Sequence, residues 1–209
     1  MLLADAPLSF HEFAMREPLP LGEIFAEVFR YLQGRRDVAL FGAHAVNSYC
    51  ANERMTQDVD VLALHAAEFA ENLRNHLSSL FHIAVRTPVV ARGLGFRIYQ
   101  VRDPKNRHLV DVRQVGELPG TEIVDDVLVV KPEVLVAMKV ISWIHRGDQP
   151  KGDTDAADLK RLLIAFPQLK VDPGDVGLEL ERLAAPREAL TRWSTLVGMH
   201  FRDDDEEGY

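Results

Sequence analysis

The chain has almost nothing with which to cross-link itself, cross a membrane or be exported. One cysteine, Cys50, stands in 209 residues, which excludes an internal disulfide and fits a reducing compartment. It falls in a stretch of helical composition and reads as a buried structural thiol, not a nucleophile. No apolar run approaches the roughly 18–20 residues a membrane helix needs. The first residues, MLLADAPLSF, lack both a basic stretch and a long apolar one, so no leader peptide is expected and the expected location is cytoplasmic. His65, His76 and His82 are scattered at spacings that match no zinc site, and histidine is not expected among the metal ligands.

What is present is ordinary in total and uneven in placement. Hydrophobic residues at 47% and charged residues at 27% describe a globular chain able to bury one good core or two modest ones. A net charge of −8 argues against a protein that coats nucleic acid indiscriminately. Much of that charge stands in one run, Asp203-Asp204-Asp205-Glu206-Glu207, expected to be an acidic tail over 203–209. Between Arg86 and Arg113 the balance reverses, with seven cations facing only Asp103 and Asp111.

The most informative stretch runs from Val38 to Leu62. Val38-Ala39-Leu40-Phe41 reads as a buried strand, Gly42 breaks it, and Ala43 to Ala51 reads as a helix ended by Asn52. A glycine where a strand hands over to a helix lets a ligand approach the backbone, and the helix start offers free N–H groups to a phosphate. Then come Arg54, Thr56 and the run Asp58-Val59-Asp60-Val61-Leu62. As a strand, this run puts Asp58 and Asp60 on one face and the valines on the other. Two carboxylates about 5–7 Å apart repel by roughly 2–3 kcal/mol at an effective dielectric near 20, unless a cation compensates. Arg54 is one such cation and bound Mg²⁺ another, since hard ions prefer oxygen ligands.

A third carboxylate, Asp111, interrupts the apolar strand Leu109-Val110-Asp111-Val112, where a charge is costly without a partner. Alternation groups it with Leu109 and Arg113. An ion pair with Arg97 or Arg113 competes with a role as metal ligand.

Gly42-Ala43 followed by Arg54-x-Thr56-x-Asp58-x-Asp60 resembles the core of nucleotidyltransferases of the DNA polymerase β superfamily, in spelling most like the AbiEii-like branch. That branch includes abortive-infection and toxin–antitoxin proteins. Its members carry Gly-Gly or Gly-Ser where this chain has Gly42-Ala43, which implies phosphate binding through backbone N–H groups alone. The resemblance implies an α/β (α+β) fold, with a mixed β-sheet core and flanking helices at 21–130 and a helical region at 131–202. Residues 1–20 form a lead-in.

The remaining elements follow from periodicity. Helices are predicted over Leu21–Leu32, Ala66–Leu80 and from Pro132 to about Arg146, the last ended by Gly147. Phe96 to Val101 and His108 to Arg113 form an antiparallel hairpin, and Asp125-Asp126 turns a short ribbon. Gly147 to Gly152 reads as a loop, with Asp153 or Thr154 capping the next helix. Further helical packing follows from Asp175 to Val197, punctuated by Pro173 and Pro186.

The series Lys139, Arg146, Lys151, Asp155, Asp158 resembles one in the helical region of AbiEii-like proteins, which implies that the basic residues face nucleotide phosphates, with Asp158 in the same set. The resemblance further implies that Asp58, Asp60 and Asp111 hold two Mg²⁺ ions and transfer a nucleotidyl group from an NTP. A tRNA end, a protein or an aminoglycoside would be the acceptor, and an antitoxin protein a partner. The basic stretch around Asp111 favours RNA. An inactive nucleotide- or partner-binding module is the alternative.

Overall fold

The computed structural model describes residues 20–90 and 93–201. The lead-in before Pro20, the acidic tail at 203–209 and Arg92 lie outside the described residues.

Helix α1, Leu21–Leu32, buries Ile24, Phe25, Val28 and Leu32 on one stripe, as its spacing predicts. Gly34 follows with φ +72°, a left-handed conformation that turns the chain into β1, Val38–Phe41. All four β1 residues are buried, because the strand is central and covered on both faces. Helix α2 runs from Gly42 to Asn47 and is shorter than its composition predicts. The reason is local. Asn47 donates from Nδ2 to the Arg54 carbonyl and accepts from the Arg54 N–H, at 2.8 and 3.2 Å, so its side chain folds the following loop back instead of extending the helix. Asn52 therefore lies in that loop and not at a helix end.

Strand β2, Val59–Ala63, leads to α3, Ala66–Phe81, whose Phe69, Leu73 and Leu77 are buried. Short strands β3, Val85–Arg86, and β4, Val89–Val90, precede the hairpin of β5, Gly95–Gln100, and β6, Arg107–Gln114. Strands β7, Thr121–Val124, and β8, Val127–Val130, flank Asp125 and Asp126, both at positive φ, as a two-residue hairpin turn requires. Helix α4 spans Pro132–Arg146 and α5 spans Pro150–Ala165. The loop read as Gly147 to Gly152 is thus only three residues long, because Pro150 opens α5 as a first-turn proline. Helices α6, Asp175–Arg182, and α7, Arg187–Val197, complete the described chain.

The strands form one eight-stranded mixed sheet in the order β3-β5-β6-β2-β1-β8-β7, with β4 also on β5. The pairs β2–β6 and β1–β8 are parallel; the others are antiparallel. Phe41, Asp60 and Arg113 share a cavity with α4 residues, whereas Leu40 and Val129 share one with α1. Helices α1 and α4 therefore lie over opposite sheet faces, and one apolar core runs through both layers from Ile24 to Leu196. No helix among the described residues is long and apolar enough to cross a membrane.

Candidate active site

Strand pairing assembles the acids. Parallel β2 and β6 place Asp60 directly beside Asp111, and antiparallel β1 and β2 place Phe41 beside Asp60. Cross-strand neighbours project to the same face, so Asp60, Asp111 and the turn after Phe41 meet on one face of the central strands, where β1 ends and β2 begins. Gly42 has φ +70°, and a Cβ there would lie 2.2 Å from Asp60 Oδ2. Two constraints thus demand glycine: the left-handed backbone and the carboxylate pressed against it. Ala43 is buried, 6% exposed, and belongs to the packing beneath the turn.

The carboxylates have different surroundings. Burial, then the nearby charge of Asp58, push Asp60 up to about 6, against the pull of Arg113 and Lys139. Asp58 is held below the usual range by its hydrogen bond to His108, at 3.0 Å from Nδ1 to Oδ2. Asp111 accepts from His108 Nε2 at 3.0 Å and from the Arg97 fork at 3.0 and 3.3 Å. Burial opposes its charge, but His108 and Arg97 outweigh it and bring the carboxyl down to about 2. For His108 itself, burial opposes the charge and the two aspartates prevail, raising the ring to about 9. The ring therefore bridges Asp58 and Asp111 as an imidazolium. One ligand atom from each of Asp58, His108 and Asp111 lies within 4.8 Å of the others, a spread that a divalent ion could draw together. The carboxylate-rich donor set fits a metal site.

His108 is the site residue that sequence reading missed. It lies three residues before Asp111, a spacing that puts two side chains on opposite faces of a regular strand. The β5–β6 pairing shifts register between Ile98 and Tyr99: Tyr99 faces His108 while Ile98 faces Val110. Leu109 is thus an extra residue, a bulge that turns His108 to the face of Asp111. Leu109 and Val110 are both buried, so Leu109 does not share the Asp111 face in the way simple alternation implies. No local signal marks the bulge.

The helical residues are gathered too, mostly with one another. Arg54 forks Asp158 at 2.6 and 2.9 Å, and Lys139 Nζ reaches Asp155 at 2.9 Å and Asp158 at 2.7 Å. Arg146 pairs with Asp155, and Arg161 reaches Asp158, Asn47 and the carbonyl of Asn52. Burial opposes the charge of Asp158, yet Arg54 and Lys139 hold its carboxyl below the usual range. Thr56 donates to the Asp58 carbonyl at 3.2 Å and shapes the approach to β2. Lys151 is exposed in the first turn of α5 and helps keep Asp58 ionised. A cavity of about 370 Å³ opens beside Gly42 and Asp60, with Arg113, Lys139, His145 and Arg146 among its walls. A larger one, about 600 Å³, lies over the other sheet face and has Arg54 and Thr56 on its rim but none of the three acids.

No family model matches the sequence, and no curated protein matches it either. Solved structures do match. The Megavirus polyadenylate synthase superposes with a TM-score of 0.59 at 12% identity over 76% of this chain. This chain spans 34% of that protein's length. The structure of ANT(2")-Ia in complex with adenylyl-2"-tobramycin superposes with a TM-score of 0.52 at 13% identity, covering 78% of this chain and 96% of that one. The architecture is thus a nucleotidyltransferase-type fold, a mixed sheet flanked by helices.

Proposed function

We propose that the chain is a metal-dependent nucleotidyltransferase, with its transfer core at 21–130 and a helical region at 131–202. The observation that carries this reading is the β2–β6 register, which sets Asp60, in the wall of a cavity with basic residues, beside Asp111, while His108 joins Asp111 to Asp58. On a nucleotidyltransferase-type fold, such a cluster fits divalent ions. Asp58, Asp60 and Asp111 would hold them, with Mg²⁺ the expected species, and the ions would supply charge neutralisation and an activated hydroxyl.

The chain's own groups do the rest. Arg113, Lys139 and Arg146 line the cavity where the triphosphate of an NTP would lie, with the Gly42 turn and Asp60 in the same wall and Lys151 near enough to Asp58 to favour its charge. The acceptor oxygen bonds to the α-phosphorus and the bond to the β-phosphate oxygen breaks. Pyrophosphate departs, and the hydroxyl proton passes to a carboxylate of the cluster. Arg54 and Asp158 act one step away, by fixing the loop that presents Asp58. The acceptor we propose is an RNA end, tRNA first, because Arg102 and Lys105 in the β5–β6 turn and Arg107 at the start of β6 would attract phosphates. The AbiEii-like pattern of Arg54, Thr56, Asp58 and Asp60 supports a place in a toxin–antitoxin or phage-defence pair, with an antitoxin protein as partner.

A second reading has its own observation. Asp111 already has an arginine fork and an imidazole as partners, which is how an inactive nucleotide- or partner-binding module would neutralise its acids. The test incubates the protein with a divalent ion, each α-labelled NTP and, separately, total RNA, total protein or an aminoglycoside panel. Label entering RNA and falling as salt rises is the expected result. Transfer to aminoglycosides alone overturns the acceptor, and nucleotide binding without transfer establishes the second reading.

A further inference from the structure

We propose that His108 is a metal ligand, and that Asp58, His108 and Asp111 together form a mixed nitrogen–oxygen site selecting a first-row transition ion over Mg²⁺. The inference rests on the metal-dependent reading of the same cluster and names its ion class.

Three features of the structure carry it. The ring stands between the two aspartates, with Nδ1 3.0 Å from Asp58 Oδ2 and Nε2 3.0 Å from Asp111 Oδ1. Any cation held by both carboxylates must therefore meet the imidazole, either displacing it or accepting a nitrogen from it. One donor atom from each of the three residues already lies within 4.8 Å of the others, close enough for a single ion to draw on all three. Finally, the ring is on this face because of the bulge at Leu109, and bulges next to active sites re-aim side chains.

The remaining partners are compatible with this role. An ionised carboxylate offers about four lone-pair positions, so Asp111 can keep the Arg97 fork while ligating. Arg97 then orients the carboxylate and sharpens the site. Mg²⁺ favours an all-oxygen octahedron and takes nitrogen poorly, whereas an imidazole beside carboxylates suits borderline transition ions. When the ion binds, a ring nitrogen gives up its proton, so binding weakens as the medium becomes more acidic.

The opposing idea is that the ring only neutralises the two acids until a metal expels it. The two ideas predict opposite signs for one substitution. Titrate the full chain, without nucleotide, with Mn²⁺ alone and with Mg²⁺ alone, and record pulsed electron paramagnetic resonance of the bound Mn²⁺. If His108 is a ligand, Mn²⁺ binds about tenfold or more tightly than Mg²⁺, and the spectrum shows coupling to a nitrogen nucleus. His108→Ala then abolishes that coupling and weakens Mn²⁺ about tenfold or more, while Mg²⁺ affinity stays within about threefold. Tighter or unchanged Mn²⁺ binding in His108→Ala overturns the proposal, as does a wild-type spectrum without nitrogen coupling. The wild-type spectrum decides the matter even if the variant does not fold. Absent nucleotidyl transfer with nitrogen-coupled Mn²⁺ sinks the proposed function and leaves this site standing. Transfer supported by an all-oxygen site does the reverse.

Discussion

Two groups of aspartates, built from the same residue type, have opposite surroundings. Asp155 and Asp158 sit inside, with side chains 4% and 0% exposed, and four cations converge on them from Arg54, Lys139, Arg146 and Arg161. Asp58 and Asp111 sit at the rim, 28% and 20% exposed, sharing one imidazolium and, for Asp111, one arginine. Asp60 stands between the groups, short of compensation and raised to about 6. The interior pair is saturated and acts as a clasp, tying the 47–58 loop to α4 and α5. The rim pair, with His108 between them, forms a group that could hold a metal ion. Under the proposed function the rim acids work on the nucleotide, whereas the interior pair only holds the loop.

Breaking the clasp should have the largest effect on stability. Asp158→Ala leaves Arg54, Lys139 and Arg161 facing a hole, and removing one partner of a buried network costs about 3–5 kcal/mol. Urea denaturation of the variant at neutral pH should show that loss. A loss below about 1 kcal/mol would mean that the clasp is no more than a surface network.

The rim should respond with the opposite sign. Asp60→Asn should stabilise the metal-free protein by about 2 kcal/mol near neutral pH, while abolishing nucleotidyl transfer. The sign follows from a folded value of about 6 above a model value of 3.8. The protonated form favours the fold, that favour is fully present below the unfolded value, and it is lost as pH rises through about 6. Wild type and variant should therefore be alike below about pH 4, separate between pH 4 and pH 6, and differ by the full amount above about pH 6. Equal stability at every pH would show that Asp60 carries no penalty.

His108 sharpens the contrast over a different range. Its folded value, about 9, is above its model value of 6.5, so its contribution is present below the unfolded value and lost as pH rises through about 9. Metal-free protein should lose about 1–2 kcal/mol between pH 7 and pH 10, discounted for a ring shared by two half-buried partners. His108→Ala should flatten that slope. A steep slope surviving in the variant would assign it to another group.

The smallest stability effect belongs to the hairpin turn. Replacing Arg102, Lys105 and Arg107 with alanine should change stability by less than about 0.5 kcal/mol per site, because none of them is buried. The same variant should lower transfer to RNA and weaken its salt dependence. Unchanged transfer to RNA would place the acceptor elsewhere.

Local pattern made much of this molecule legible. The bounds of α1 and β1, the hairpin of β5 and β6, the turn at Asp125-Asp126 and the start of α4 follow from periodicity and turn chemistry over a few residues. The fold class was implied by the family resemblance that Gly42-Ala43, Arg54, Thr56, Asp58 and Asp60 carry. Each is a short-range signal, written in the residues that form the element.

Long-range pairing was not legible. Nothing near Arg54 names Asp158, 104 residues away, as its partner, and Lys139 reads equally well as a phosphate ligand or a buried ion pair until its neighbours are placed. Alternation set Asp58 and Asp60 on one face, but only the packing of β2 against β1 pressed Asp60 onto Gly42. One extra residue in β6 then reversed the parity that separates His108 from Asp111. The sequence by itself determined which residues alternate, cap and turn, because those preferences act over one or two turns of chain. Only the tertiary structure decided which carboxylates are enclosed by several cations and which share one imidazole near the surface, because that balance depends on register and burial between segments far apart in sequence.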